Sequence, residues 1–143
     1  KCEVLLVEGV GGVLAPLAKE RTVASLGQAL GSQLIVVAPN RVGVVNHVLL
    51  TAESALVRGL SVACVVLMEQ EEPDESATDN VELIPMYLPE MDNFKGVFEF
   101  PWLGAGADDP AFIAVNLKKV DGVLGAIFEA CVLPNLGRNA SDD

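Results

Sequence analysis

The sequence predicts an α/β fold, with a parallel sheet that carries helices on both of its faces. Four short runs are apolar at nearly every position, which is typical of central parallel strands buried on both sides. Segments with helical spacing of apolar residues separate these runs, so strand and helix alternate as in right-handed βαβ units. The 143 residues are 51% hydrophobic. This length fits one domain, which we place at residues 1–143.

The predicted strands are residues 4–7, 34–38, 61–67 and 96–100. Each is rich in leucine or β-branched residues. In open parallel sheets ligands bind beyond the carboxyl ends of the strands, so a site is expected in the loops that follow these runs. Those loops begin at Glu8, Pro39, Met68 and Pro101.

The predicted helices are residues 22–30, 44–58, 77–87 and 112–131. The first two each precede a glycine, Gly31 or Gly59, where a left-handed helix cap is easiest to form. Pro85 should kink or end the third helix, because proline lacks the N–H that an interior turn needs.

Charge and composition limit the functions that the chain can have. A net charge of −11 argues against a nucleic-acid partner, which would require clustered Lys and Arg. No apolar run reaches the roughly 18 residues needed to cross a membrane, and no signal peptide precedes the first strand, so we expect a cytoplasmic protein. Cys2, Cys64 and Cys131 form no C-x-x-C pair and are expected to be buried free thiols.

The first candidate site is the segment VLLVEGVGGV at residues 4–13. Glu8 at the tip of a strand could hold Mg²⁺ beside nucleotide phosphates, and the glycines that follow could present backbone N–H groups to anionic oxygens. The segment also fits a tight turn with a solvated acid, because it is not the phosphate-binding G-x-x-x-x-G-K-[ST] motif.

The second candidate is the loop and helix start at residues 39–47. Free N–H groups at the start of a helix, with Arg41 nearby, could bind a carboxylate or a phosphate. An ordinary loop between strand and helix is the alternative. His47 has no Ser or Cys partner in a recognisable motif, so we predict no catalytic triad.

These motifs together resemble the second half of dethiobiotin synthetase, an ATP-dependent ligase of biotin biosynthesis. The similarity lies in LLVEGVGGVLAPL, in TVASLGQALGSQLIVVAPNRVGVVNHVLLTAESALVRGLSVACVVL and, after a gap, in FPWL at residues 100–103. The resemblance implies a P-loop NTPase-like fold, here an incomplete Rossmann-like three-layer sandwich. It also implies carboxylation of 7,8-diaminononanoate by CO₂ and an ATP- and Mg²⁺-dependent ring closure.

The resemblance also implies roles for particular residues. Glu8 matches the family's Mg²⁺ ligand within a nucleotide-contacting loop, and residues 42–46 match a turn that holds the substrate's carboxylate across a homodimer interface. The implied nucleotide-binding residues are Glu8, Gly9, Val10, Gly11, Met68, Glu69, Pro101, Trp102, Leu103 and Asp108. The implied substrate-binding residues are Val42, Gly43, Val44, Val45 and Asn46.

The chain departs from the family in two respects. It contains no G-x-x-x-x-G-K-[ST] motif, so we expect no catalytic residue and no activity in this chain alone. Met68 and Glu69 stand where the family has an adenine-reading Asn-Asp pair, and Met cannot donate and accept hydrogen bonds as an amide does. The acidic loop at residues 69–79 is expected to be a solvated surface loop. Trp102 could belong to the core or stack on a base.

Two interpretations remain open at the level of sequence. The chain is either part of a dethiobiotin synthetase whose P-loop half lies elsewhere, or a non-catalytic α/β module for dimerisation or small-anion binding. A relative among other P-loop amidoligases, such as cobyrinate synthetases, is a third. The start at Lys1 without Met favours an incomplete chain. A missing P-loop strand would leave apolar edges on residues 4–7 and 34–38, so we expect the chain not to be a monomer.

Overall fold

The computed structural model describes residues 4–9 and 11–136, apart from the side chain of Asn135. A small antiparallel hairpin and a three-stranded parallel sheet are joined by four α-helices. The elements are β1 (Pro16–Ala18), β2 (Arg21–Thr22), α1 (Val23–Leu30), β3 (Leu34–Pro39), α2 (Val44–Leu56), β4 (Val62–Met68), α3 (Ala77–Tyr87), β5 (Val97–Phe100) and α4 (Pro110–Ile127), followed by a π-helical turn (Phe128–Val132) and a 3-10 turn (Leu133–Asn135).

The parallel sheet has the strand order β3-β4-β5, with β4 in the centre. Ile35 is in register with Cys64, and Val65 with Val97. Strand β4 is buried from Val62 to Leu67, as expected of a central strand flanked on both faces. The predicted α/β class is therefore confirmed.

Each face of the sheet has its own hydrophobic core. On one face Val62, Val65 and Leu67 of β4 pack with buried residues of α1, α2 and α3. On the other face Ala63, Cys64 and Val66 pack with Cys131 of the π-helical turn. The prediction of helical layers on both faces is confirmed, as is the burial of Cys64 and Cys131 as free thiols. Cys2 lies outside the described residues.

The helices follow the predicted pattern, with shifted ends. A reciprocal capping box between Thr22 and Ser25 starts α1, and Gly31 ends it in the left-handed conformation at φ 59°. Helix α2 ends at Leu56 rather than at residue 58. Helix α3 continues through Pro85 to Tyr87, so the proline lies inside its last turn. Helix α4 starts two residues earlier than predicted, because Asp109 caps it by accepting a hydrogen bond from the N–H of Ala111 at 2.8 Å.

The prediction of a strand at residues 4–7 was wrong. These residues are not in a strand, and Leu5 and Leu6 are 70% and 79% exposed. The edge strand β3 is exposed on alternate residues, with Val37 61% exposed, and is not buried on both faces as predicted. An apolar run becomes a strand only where a second strand can satisfy its backbone, and β3 has one strand partner, β4, among the described residues.

The β1–β2 hairpin was not predicted, because its strands are only three and two residues long. No helix among the described residues is both long and apolar enough to span a bilayer.

Candidate functional site

The carboxyl ends of the three parallel strands are joined by hydrogen bonds. The N–H of Asn40, after β3, donates to the carbonyl of Met68 at 2.8 Å, and the N–H of Glu69, after β4, donates to the carbonyl of Phe100 at 2.8 Å. A carboxylate oxygen of Glu69 also accepts a hydrogen bond from the backbone N–H of Trp102 at 3.4 Å. The structure therefore brings Met68, Glu69 and Trp102 together at the edge where ligands of parallel sheets bind.

Trp102 is the large aromatic side chain at this edge and is 46% exposed, between half-buried Pro101 and Leu103. An indole that is exposed on one side can stack on a flat ring. Asp108 lies in the exposed turn before α4, and the hydrogen bonds among the described strand ends do not include it.

The glycine-rich loop after Glu8 lies beside the start of α1. A Cβ on Gly9 would approach Cγ1 of Val23 to 3.1 Å, so this position requires a residue without a side chain or a shift of Val23. Gly11 has φ +82°, a conformation that other residues rarely adopt. Glu8 is exposed, and Val10 lies outside the described residues. Packing against α1 therefore accounts for the glycine at position 9, and the nucleotide-binding role of the loop stays a prediction.

A cavity of about 360 Å³ joins this loop to the start of α2. Residues 36–39 of the edge strand β3 line it, and so do Arg41 and His47. Its lining residues are Gly11, Gly12, Val36, Val37, Ala38, Pro39, Arg41, Val44, His47, Val48 and Thr51. The cavity thus brings together Gly11 and Val44, which the resemblance assigned to the nucleotide and substrate sites respectively.

The side chains of Val42 and Asn46 are exposed, whereas residues 43–45 of this turn offer mainly backbone groups. Gly43 has φ 86° and precedes the first residue of α2. The side chain of Val44 is 2% exposed, and that of Val45 packs against the core. Any ligand bound by these two residues would therefore contact backbone groups. The first N–H groups of a helix have no partner four residues earlier and carry partial positive charge, which suits an anion.

A buried pair of asparagines holds the end of β3 in place, and sequence reasoning missed it. Asn40 and Asn80 are each 3% exposed. The amide nitrogen of Asn80 donates to Oδ1 of Asn40 at 2.8 Å, and the amide nitrogen of Asn40 donates to the carbonyl of Ala77 at 3.0 Å. The two residues lie 40 positions apart, so no local pattern could have paired them. The position of Asn40 directly after an apolar strand was the one available signal.

The acidic loop is only partly the solvated loop that was predicted. Residues 71–75 are exposed, but Asp74 folds back onto the turn before α2. One of its carboxylate oxygens accepts from the N–H of Val42 at 2.6 Å, and the other accepts from the N–H of Ser76 at 2.9 Å. The hydroxyl of Ser76 and then the N–H of Val42 lower the pKa of Asp74, because both stabilise its ionised form.

The described residues contain no cluster of three or more His, Cys, Asp or Glu side chains that could hold a metal ion. The lone carboxylate of Glu8 does fit Mg²⁺ of the kind that takes most of its ligands from phosphate and water.

Comparison with known proteins places these features in a family. A protein-family model with the description "AAA domain" matches residues 1–105. The ATP-dependent dethiobiotin synthetase BioD of Anaeromyxobacter sp. (strain K) is 35% identical over 122 residues, which are 85% of this chain and 50% of that protein. The BioD of Anaeromyxobacter sp. (strain Fw109-5) is 47% identical over 73 residues, 51% of this chain and 33% of that protein.

A third relative has the same name. The ATP-dependent dethiobiotin synthetase BioD of Bacillus subtilis (strain 168) is 36% identical over 85 residues, 59% of this chain and 37% of that protein. The chain spans between a third and a half of the length of these three relatives.

Proposed function

This chain belongs to the AAA domain family and is dethiobiotin synthetase-like, and on that premise we propose that it supplies the second half of an ATP- and Mg²⁺-dependent ligase that makes dethiobiotin. The reaction would add CO₂ to one amine of 7,8-diaminononanoate to form a carbamate, and ATP would transfer its γ-phosphoryl group to that carbamate with release of ADP. Attack of the other amine would then close the ureido ring with loss of phosphate. The observation that carries the proposal is the cavity that joins the glycine-rich loop to the start of α2.

The proposed substrate end of the cavity is the turn at residues 42–46. Its backbone N–H groups and the guanidinium of Arg41 would hold the carboxylate of 7,8-diaminononanoate. In the proposed homodimer this turn would serve the active site of the second copy. A fixed carboxylate positions the two amines at the far end of the substrate, which lowers the entropic cost of ring closure.

The proposed nucleotide end lies at the tips of β4 and β5. Met68, Glu69, Pro101, Trp102 and Leu103 would surround the base, with Trp102 stacked on it and Asp108 in the adjoining turn. Glu8 and Gly9–Gly11 would face the phosphates. Mg²⁺, when bound, would neutralise charge on the transferred phosphoryl group, and Glu8 is the residue of this chain that would hold it.

Phosphoryl transfer also needs a lysine-bearing phosphate loop, which this sequence lacks. We propose that a segment with that loop pairs with the open edge of β3. Val37 on that edge is 61% exposed, and Leu5 and Leu6 are exposed apolar side chains that a further strand could cover, which supports the proposal. Such an enzyme would work in the cytoplasm on small molecules, and the net charge of −11 disfavours a nucleic-acid partner.

The test mixes this chain with a separately purified P-loop half of the Bacillus subtilis relative. Product formation is followed by mass spectrometry with ATP, Mg²⁺, bicarbonate and 7,8-diaminononanoate. Dethiobiotin should form in the mixture and in neither half alone. Glu8→Gln should reduce the rate of product formation. The control Glu90→Gln changes an exposed residue outside the site and should leave the rate unchanged. Absence of product from a stable complex of the two halves would overturn the proposal.

A second candidate function is a non-catalytic module that binds small anions or dimerises. The replacement of the adenine-reading pair by Met68 and Glu69 favours it, because a thioether and a carboxylate cannot form an amide's paired donor and acceptor contacts. Calorimetry separates the two functions. A module should bind a carboxylate and should add nothing to the affinity of the P-loop half for Mg-ATP. The ligase should bind the carboxylate and should raise that affinity for Mg-ATP.

A further inference from the structure

The acidic loop makes a specific contact with the turn proposed to bind the substrate's carboxylate. Oδ2 of Asp74 accepts a hydrogen bond from the N–H of Val42 at 2.6 Å, across 32 positions of sequence. Val42 itself is 74% exposed, so its side chain contributes little packing to hold the turn. The next residue, Gly43, is at φ 86° and has no side chain to fix it. Within the turn, the N–H of Val44 donates to the carbonyl of Arg41 at 3.1 Å. The carboxylate of Asp74 adds a restraint on Val42 from outside the turn.

Asp74 is in turn held by a chain of hydrogen bonds that ends in the buried asparagine pair. Its Oδ1 accepts from the N–H and the hydroxyl of Ser76. The amide nitrogen of Asn80 lies 3.4 Å from the Ser76 hydroxyl and 2.8 Å from Oδ1 of Asn40. The restraint on Val42 is thus anchored at the end of β3 and at the first turn of α3. A rigidly anchored acceptor can fix a backbone position, whereas a freely rotating surface acid cannot.

The same loop also reaches the proposed nucleotide edge. It leaves β4 at Glu69, whose carboxylate accepts from the N–H of Trp102, and five residues later Asp74 contacts Val42. One short segment therefore contacts the backbone at both proposed ligand ends of the site.

We propose that Asp74 is a positioning residue, which holds the turn at residues 42–46 in the geometry that binds the substrate's carboxylate. This inference rests on the proposed function. Asp74 does not bind the substrate's carboxylate, because it is itself an anion. It accepts from the N–H of Val42, and the N–H of Val44 donates to the carbonyl of Arg41. The groups proposed to hold the carboxylate are then the guanidinium of Arg41 and the N–H groups of Gly43, Val45 and Asn46. An alternative role, a cap for α3 alone, would involve Ser76 and not Val42.

The first measurement tests the restraint without any ligand. Amide hydrogen exchange of Val42, followed by NMR on the full chain, should be protected in the wild type and about tenfold faster in Asp74→Ala, because the substitution removes the acceptor of this N–H. Ser76→Ala removes the hydroxyl that links Asp74 to Asn80 but keeps the N–H that donates to Asp74, so it should speed the exchange of Val42 by less than Asp74→Ala does. Equal exchange of Val42 in wild type and Asp74→Ala would overturn the proposal.

The second measurement tests the consequence for binding. The probe is 7,8-diaminononanoate, with its methyl ester as a control that lacks the carboxylate charge, and the readout is the shift of amide signals in residues 42–46. Asp74→Ala should weaken binding of the acid by about five- to tenfold, and Asp74→Glu should restore part of it. Tighter binding by Asp74→Ala would overturn the proposal, since Asp74 would then be a competitor of the substrate.

The two measurements separate the two failures. If the acid and the ester leave residues 42–46 equally unchanged in every variant, while the exchange of Val42 still depends on Asp74, then the proposed substrate site is wrong and the restraint on the turn stands. If the acid binds with equal strength to wild type, Asp74→Ala and Ser76→Ala, the substrate site stands and the positioning role is wrong.

Discussion

The asparagine pair beneath the site permits a quantitative prediction about stability. In Asn80→Ala the buried Oδ1 of Asn40 loses the donor that now lies 2.8 Å away. An unsatisfied buried acceptor costs about 1–3 kcal/mol. Alanine is a better helix former than asparagine in α3, which returns roughly 0.5 kcal/mol. The free energy of unfolding should therefore fall by about 1–2 kcal/mol, measured by urea denaturation followed by circular dichroism.

A second variant at the same position tests the reasoning more sharply. Asn80→Asp places a carboxylate oxygen against Oδ1 of Asn40, so two acceptors face each other in a buried site. We expect a larger loss than for Asn80→Ala at pH 7, with partial recovery at lower pH as the acid takes up a proton and becomes a donor. Asn93→Ala, in an exposed turn, is the matched control and should change stability by less than about 0.5 kcal/mol. If Asn80→Ala were as mild as this control, the buried pair would not hold the end of β3.

Three further predictions concern the core and the open edge. Leu67→Ala, at a side chain with 0% exposure, should lower the free energy of unfolding by about 2–5 kcal/mol, while the 56%-exposed Leu50→Ala should cost less than about 1 kcal/mol in the same urea titration. Burial and the neighbouring Cys131 raise the pKa of Cys64. The thiol therefore ionises first in the unfolded chain, and the free energy of unfolding should decline as the pH rises above about 8.5. Cys64→Ala should reduce this dependence of stability on pH. Light scattering at micromolar concentration should give more than one chain per particle, with a lower mass for Val37→Asp; a wild-type mass of one chain would contradict the expected association through the β3 edge.

Local sequence patterns predicted most of the fold. The apolar run in β4 and the helical spacing in α1 and α2 predicted the correct elements. Both patterns indicate burial, and these elements are buried against other elements of the same chain. Helix ends were less accurate. Asp109 moved the start of α4 by capping it, and Pro85 was accommodated inside α3, since both effects depend on which backbone groups find partners.

The site was predictable only in part, for a related reason. The rule that ligands bind beyond parallel strands located Met68, Glu69 and Trp102 at one edge, where the structure joins the last two by a hydrogen bond. The same rule could not reveal that Asp74 contacts Val42, because the acidic loop has no regular spacing and its path is set by tertiary hydrogen bonds. Composition correctly described residues 71–75 as exposed and could not identify which acids of the loop have hydrogen-bond partners in other elements.

The open edge of β3 connects the error at residues 4–7 with the proposed function. Apolarity at residues 4–7 and at Ile35 and Val37 has the pattern of buried strands, yet Leu6 is 79% exposed and Ile35 is 38% exposed. Exposed apolar side chains on a strand edge are a liability in an isolated chain and are ordinary where another strand covers them. Both apolar segments would be buried, as their sequences predict, if a further strand lay between residues 4–7 and β3. A phosphate-binding loop at the end of that strand would open into the cavity beside Gly11 and Arg41, where the proposed reaction needs it.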